Sequence, residues 1–226
     1  MVLKPNSFKI FFTGILSISL FSCGGHTGIY EELALAVKDI FSAPQDLSIE
    51  QINKVPYASM QVRLGRAPNV LVVLEEDRQG LLKWTSSNQI KIYTKNGKII
   101  RLTGTENELD LLDVGSNHPL LNPDLLNSDL DMSLTTFYNF RNPNLYNLPV
   151  KIKFKYLGEE ELMIMGEKVE TLLFEETSKK NDIYWEFANL YWIDKKDKSV
   201  LKSIQSFTPK NPKLFFTITR KYKKPE

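Results

Sequence analysis

The sequence predicts an all-β fold, an antiparallel meander that curls into an open or closed β-barrel and is preceded by short N-terminal helices. Three observations carry this. From Tyr57 onward, apolar residues recur with a period of two in short runs rich in Val, Ile, Leu and aromatics, as half-buried strands require. The runs are separated by brief turn-forming breaks such as "GRAPN", "DRQG", "SSN" and "NG". About eleven such strands follow one another with little helix between them, and closing the sheet on itself removes the exposed edges such a meander would leave.

The chain begins with Lys4 and Lys9 and then an apolar run from Ile10 to Leu20, the basic and hydrophobic regions of an export signal. The run is too short to span a bilayer, which takes about 20 apolar residues. It ends in Leu20-Phe21-Ser22-Cys23, a bacterial lipobox around the single cysteine of the chain. In such a motif the thiol takes a diacylglyceryl group, the chain is cut before the cysteine, and the freed amine receives a fatty acyl chain such as palmitate. Each buried methylene contributes about 0.8 kcal/mol, so three chains anchor almost permanently where one binds only reversibly. Lipid attachment at Cys23 is therefore expected, with residues 1–22 as a lipoprotein signal peptide. Gly24 stands where an aspartate would signal retention in the inner membrane. Its presence favours the outer membrane, with the domain facing the periplasm.

Residues 23–47 read as a lipidated tether with an amphipathic helix, in which Ile29, Leu33, Val37 and Ile40 recur at helical spacing and Glu31 and Glu32 occupy the first turn. "SIEQI" follows as a shorter helix with Ser48 and Gln51 as a capping box, ended by Pro56. Residues 48–226 read as one barrel-like domain. The firmest local feature is "QIKIYTKNGKIIRL", where Asn96-Gly97 suits a type I′ turn, so that Ile90, Ile92 and Thr94 share one face. Trp84, Ile92, Leu71 and Val73 are the expected core. "DLLDVG" reads as a strand, "NPDLLNSDLDMS" as a loop with a helical turn, and "TTFYNFRNPNLYNLP" as aromatic and turn-rich. Strands resume with "VKIKFKYLG", "ELMIMG", "KVETLLFEE", "IYWEFANLYWID", "SVLKSIQSF" and "KLFFTITRKY", and "RKYKKPE" reads as a solvated basic tail.

Two stretches resemble a known family. "INKVPYASMQVRLGRAPNVLVVLEEDRQGLLKWTSSNQIKIYTKNGKIIRLTG" and "YWEFANLYWIDKKDKSVLKSIQSFTP", together with the lipobox, are similar to the YjbF/GfcB family of capsule and exopolysaccharide lipoproteins. The resemblance covers about half of the chain that follows the signal and preserves the family order. It implies a β-barrel-like outer-membrane lipoprotein of polysaccharide secretion with no assigned enzymatic activity.

Charge and motifs narrow the function classes. The chain carries 29 basic and 27 acidic residues, and removal of Lys4 and Lys9 with the signal would leave the two in balance, so charge gives no case for nucleic-acid binding. With Cys23 acylated, no thiol remains for a disulfide. His26 lies in the tether and His118 precedes Pro119 in a loop, neither with a second ligand at metal spacing. No nucleophile elbow, phosphate loop or Cys/His pair occurs, and no cofactor is implied. Glu159-Glu160-Glu161 reads as a solvated turn in preference to a glycosidase pair. Tyr184, Trp185, Phe187, Tyr191 and Trp192 crowd one segment, either to stack on sugar rings or, as the alternation of Ile183, Trp185 and Phe187 favours, to fill the core. The sequence thus leaves a non-enzymatic accessory in capsule or exopolysaccharide assembly or export, in contact with polysaccharide or outer-membrane export proteins. The alternative is a lipid or lipoprotein carrier with an apolar cavity in an incomplete barrel.

Overall fold

The computed structural model describes residues 47–87, 89–105 and 108–224. The expected signal peptide, the expected lipid site Cys23 and the expected amphipathic helix of the tether lie outside the described residues. The first element is α1 (Ile49–Asn53), and its capping box is as expected: Ser48 Oγ accepts from Gln51 N at 3.2 Å and Gln51 Oε1 from Ser48 N at 3.0 Å.

Twelve strands follow: β1 (Ser59–Leu64), β2 (Val70–Arg78), β3 (Leu81–Ser86), β4 (Lys91–Lys95), β5 (Lys98–Thr103), β6 (Leu109–Asp113), β7 (Asp131–Phe140), β8 (Leu145–Ile164), β9 (Glu167–Lys180), β10 (Trp185–Asp194), β11 (Val200–Gln205) and β12 (Leu214–Arg220). Each pairs antiparallel with its neighbours in sequence, and β1 pairs with β12, so the barrel is closed. The Asn96-Gly97 turn has positive φ at both positions, 37° and 73°, as a type I′ turn requires. Gly97 is fixed there sterically as well, because a Cβ would lie 2.4 Å from the Val200 side chain.

Three readings of strand position and facing are corrected first. The stretch "TTFYNF" is not turn-rich irregular chain but the body of β7, whose inward residues Thr136, Tyr138 and Phe140 are buried. "VKIKFKYLG" and "ELMIMG" are one strand, β8, whose ladder shifts register at Gly158 without ending. In β2 the inward residue is Val72, fully buried, and Leu71 and Val73 lie half-buried on the outside. "VLVVL" is apolar on both faces and cannot report its own orientation, which is set by the register of Val72 opposite the inward Met60. Trp84 and Ile92 are in the core as expected, paired across β3 and β4.

Twelve strands enclose more space than the eight that side chains alone just fill. Here the lumen is filled from three sources. Large inward side chains supply most of it, among them Trp84, Tyr138, Phe154, Phe174, Phe187 and Phe216. The β6–β7 connection folds over one mouth and inserts Leu120 and Leu126, with 3-10 turns at Pro119–Leu121 and Pro123–Leu125. The β4–β5 turn leans across the same mouth, where Asn96 Nδ2 donates to Leu120 O at 3.0 Å and Lys198 O at 3.1 Å.

A second apolar cluster lies outside the barrel wall. Beyond Gly158 the β8–β9 hairpin runs past the end of β10 and lays Leu162 on the outward residues Leu190, Trp192 and Ile204. Its tip approaches α1, since a Cβ at Gly166 would lie 3.9 Å from Ile49 Cδ1. Glu159, Glu160 and Glu161 therefore belong to a strand and not to a turn. Glu159 pairs with Lys195 at 2.6 Å, Glu161 with Lys168 at 2.9 Å, and Glu160 accepts from Trp192 Nε1 at 2.6 Å. The basic tail is docked at its start, where Lys221 reaches Asp194 at 2.6 Å and Asp197 at 2.7 Å.

Trp84 is 2% exposed and donates from Nε1 to Thr94 Oγ1 at 2.9 Å. Replacing it with Ala removes a large inward side chain and orphans that hydroxyl, so a loss of about 3 to 5 kcal/mol is expected in urea unfolding.

Candidate functional site

Two groups of polar side chains stand out, one sealed inside the barrel and one on its outer face. The first centres on Glu176, placed inward on β9 by the alternation Phe174, Glu176, Ser178. Glu176 Oε1 accepts from Lys98 Nζ at 2.5 Å and from Asn189 Nδ2 at 3.0 Å, and Oε2 lies 3.0 Å from His118 Nε2. Leu120 N donates to His118 Nδ1 at 3.2 Å, so Nδ1 carries no proton and Nε2–H donates to the carboxylate. Tyr191 OH takes a bond from Lys98 Nζ at 3.0 Å and reaches Gln205 Oε1 at 3.3 Å. Gln205 Nε2 in turn donates to Gly97 O at 2.7 Å, and its Oε1 accepts from Ile99 N at 3.0 Å. The cluster thus joins β5, the β6–β7 connection, β9, β10 and β11 through the middle of the barrel.

Its electrostatics follow from this enclosure. Burial pushes the Glu176 carboxyl up, but the Lys98 charge and the bond from His118 outweigh it and hold the pKa at about 2. Burial pushes His118 below its ordinary value against the pull of Glu176, which keeps the ring neutral at pH 7. Tyr191 is raised well above its usual value by burial and by the neighbouring Glu176 charge. His118 is in a loop, as expected, and its ring is fully buried, packing edge-on against Phe154 at 5.6 Å between centroids. Nothing local in "SNHPLL" shows this, because the ring is drawn inward by a carboxylate 58 residues away.

The second group lies on the outer face of β7, β8 and β9. There the alternation that sends Val150, Ile152 and Phe154 into the core sends Lys151, Lys153 and Lys155 outward. Register places Thr135, Lys151 and Lys179 in one row across the three strands and Ser133, Lys153 and Thr177 in the next. These six residues line a groove of about 930 Å³, which continues to Lys180, Asn181 and Asp182 at the β9–β10 turn. Tyr184 follows with φ 52°, its side chain 93% exposed. The aromatic segment therefore divides: Phe187 and Tyr191 are in the lumen, Trp185 packs partly against it, Trp192 is buried in the outer cluster, and Ile183 and Tyr184 face solvent.

The cavity among Met60, Leu82, Trp84, Phe216 and Ile218 is about 150 Å³. Ligand pockets usually run from about 300 Å³ upward.

A family model described as "Group 4 capsule polysaccharide lipoprotein gfcB, YjbF" matches residues 30–219. The chain belongs to this family. Among its relatives, the uncharacterized lipoprotein GfcB of Escherichia coli K12 is 25% identical over 195 residues, covering 84% of this chain and 90% of GfcB. The uncharacterized lipoprotein YjbF of the same strain is 24% identical over 183 residues, covering 80% of this chain and 83% of YjbF. The crystal structure of the hypothetical lipoprotein YmcC from Escherichia coli K12 has the same fold, with a TM-score of 0.68, 22% identity, and coverage of 84% of this chain and 95% of that one. The resemblance read from the sequence is thus to the family the chain belongs to, and the twelve-stranded barrel is the fold of the YmcC lipoprotein.

The buried cluster makes two expectations. Lys98→Met strands the Glu176 charge in the lumen and should cost about 3 to 5 kcal/mol, whereas Lys98→Met with Glu176→Gln should recover most of that loss in a double-mutant cycle. In acid, His118 and Glu176 act in the same direction, because both have folded pKa values below their unfolded ones. Their stabilisation is complete above about pH 6.5 and is lost as pH falls, first as unfolded histidine protonates and then, below about pH 4.5, toward the folded Glu176 value of about 2. Urea midpoints between pH 8 and pH 3 should fall throughout, and Glu176→Gln should flatten the lower part of the curve.

Proposed function

We propose that this protein is a non-enzymatic accessory in capsule or exopolysaccharide assembly or export, anchored in the outer membrane through lipidated Cys23 with its barrel facing the periplasm. The observation that carries the reading is the division of side chains between the two faces of the barrel. Apart from the sealed and mutually bonded cluster around Glu176, the lumen is apolar and filled, while lysines and glutamates such as Lys83, Glu75, Lys151 and Lys153 stand outside. A barrel that crosses a membrane has the reverse pattern, an apolar band outward and a polar interior. A domain built this way needs a separate anchor, and the lipobox supplies one.

The same division bears on chemistry. The densest set of ionisable groups, Lys98, Glu176, His118 and Tyr191, is at most 2% exposed, and its members are bonded to one another. They hold the barrel together and offer no surface to a substrate, so the domain acts by binding. The small cavity beside Trp84 weighs against the carrier reading, since an acyl chain would need the lumen that the aromatics and the β6–β7 connection occupy.

Loss of the gene should lower surface and secreted polysaccharide while sugar-nucleotide precursors stay level or rise. Cys23→Ser should remove acylation, release the protein from membrane fractions and lower export similarly. Falling precursor pools would point to synthesis in place of export, and a Cys23→Ser protein that still carries lipid would rule out that residue as the anchor.

A further inference from the structure

The lysine groove on β7–β9 breaks a rule of sheet design. Lys151 and Lys179 are direct partners in the β8–β9 ladder, and like charges opposite one another on the same face repel. Lys179 has a loose contact with Glu186 at 3.5 Å, and among the described residues Lys151 has no acidic partner. Lys153 and Lys180 are partly answered by Asp131 at 3.0 Å and Asp182 at 2.9 Å, so the lining holds four lysines against one acid, Asp182. A second rule is broken two residues beyond the last residue of the groove's lining, Asp182. Tyr184 adopts a left-handed backbone that costs a bulky residue about 1 to 3 kcal/mol, yet its ring gains no burial in return. Rules broken with only partial compensation in the fold, Glu186 opposite Lys179 being the nearest answer to the paired lysines, point to a ligand.

We propose that this groove binds a strand of anionic polysaccharide, with Lys151 and Lys179 reading its carboxylate or phosphate groups and Tyr184 stacking on a sugar ring. The inference rests on the export reading above and adds the chemical class of the polymer. Ser133, Thr135 and Thr177 alternate with the lysines and supply hydrogen bonds for sugar hydroxyls. An acidic peptide would dock most readily by adding a strand, but at the groove β7, β8, β9 and β10 are already paired on both sides and expose no edge there. An anionic lipid surface is disfavoured by topology. The groove runs toward the β9–β10 turn, whereas β1 begins, and the chain from the anchor enters, at the opposite end of the barrel.

The test uses the full mature chain in non-ionic detergent with three probes: polygalacturonate as an anionic glycan, dextran as a neutral one, and phosphatidylglycerol vesicles. The expected result is binding to polygalacturonate that weakens with salt and falls at least tenfold in Lys151→Gln/Lys179→Gln, with a smaller loss in Tyr184→Ala and no binding to dextran. The lysine double variant should melt at the same temperature as the parent or higher, since repulsion has been relieved. Equal affinity for dextran, unchanged affinity in the lysine variant, or lysine-dependent binding to vesicles but not to polygalacturonate would each overturn the proposal. In cells, normal export with the lysine variant alongside impaired export in the deletion would defeat the groove and leave the export role standing. Normal export in the deletion would defeat the export role itself, whatever the groove binds.

Discussion

The contact on which the rest of the structure depends is the buried ion pair between Lys98 and Glu176. A twelve-stranded barrel has a lumen too wide for one layer of side chains, and an unfilled lumen would either admit water or collapse. The pair resolves this by tying two separate stretches of the wall together: Lys98 begins β5, Glu176 lies midway along β9, four strands away round the barrel, and the bond between them runs through the interior. Bare charges at such a depth would be prohibitive. Here each has further partners, Asn189 and His118 on the carboxylate and Tyr191 on the ammonium. Such a pair adds little net stability over an apolar replacement, but breaking one half is costly, so it specifies one arrangement of the walls more than it strengthens them.

The loop over the mouth follows from the same pair. His118 satisfies the second carboxylate oxygen, and this pulls the β6–β7 connection inward and carries Leu120 and Leu126 into the core with it. Gln205 extends the network to the backbone of Gly97 and Ile99, which fixes the β4–β5 turn against β11. A single carboxylate thus organises connections far apart in sequence.

Much of this architecture was legible in the sequence because it is local. Period-two runs, the Asn96-Gly97 turn and the Ser48–Gln51 box each act within a few residues, and their structures follow. What was not legible depends on partners distant in the chain. "VLVVL" has apolar side chains on both faces, so only its pairing with β1 shows that Val72 points inward. "TTFYNFRNPNLYNLP" has the composition of a loop, and it becomes β7 and the start of β8 because Thr136, Tyr138 and Phe140 find the lumen. Polar residues at Lys98, His118 and Glu176 read as surface in any window of ten, and nothing short of the tertiary fold could show that they meet. The groove was half legible: "VKIKFK" announces three outward lysines, but Lys179 opposite Lys151 appears only with the β8–β9 register.

The interior cluster and the outer groove are two faces of the same strands. In β9, Glu176 and Ser178 point inward while Thr177 and Lys179 point outward, and in β8 Ile152 and Phe154 point inward while Lys151 and Lys153 point outward. Fixing Glu176 with Lys98, Asn189 and His118 therefore also fixes the register that sets Lys151 beside Lys179. A slip of one residue in β9 would turn Lys179 into the lumen and the Glu176 carboxylate into solvent, so the buried pair guards the outer charge pattern against the commonest error of a sheet. Two like charges held side by side can be tolerated only on a wall that does not yield. The rigidity that the buried ion pair confers is what allows the outer face to keep a repulsive arrangement ready for an anion, without the sheet relaxing to relieve it.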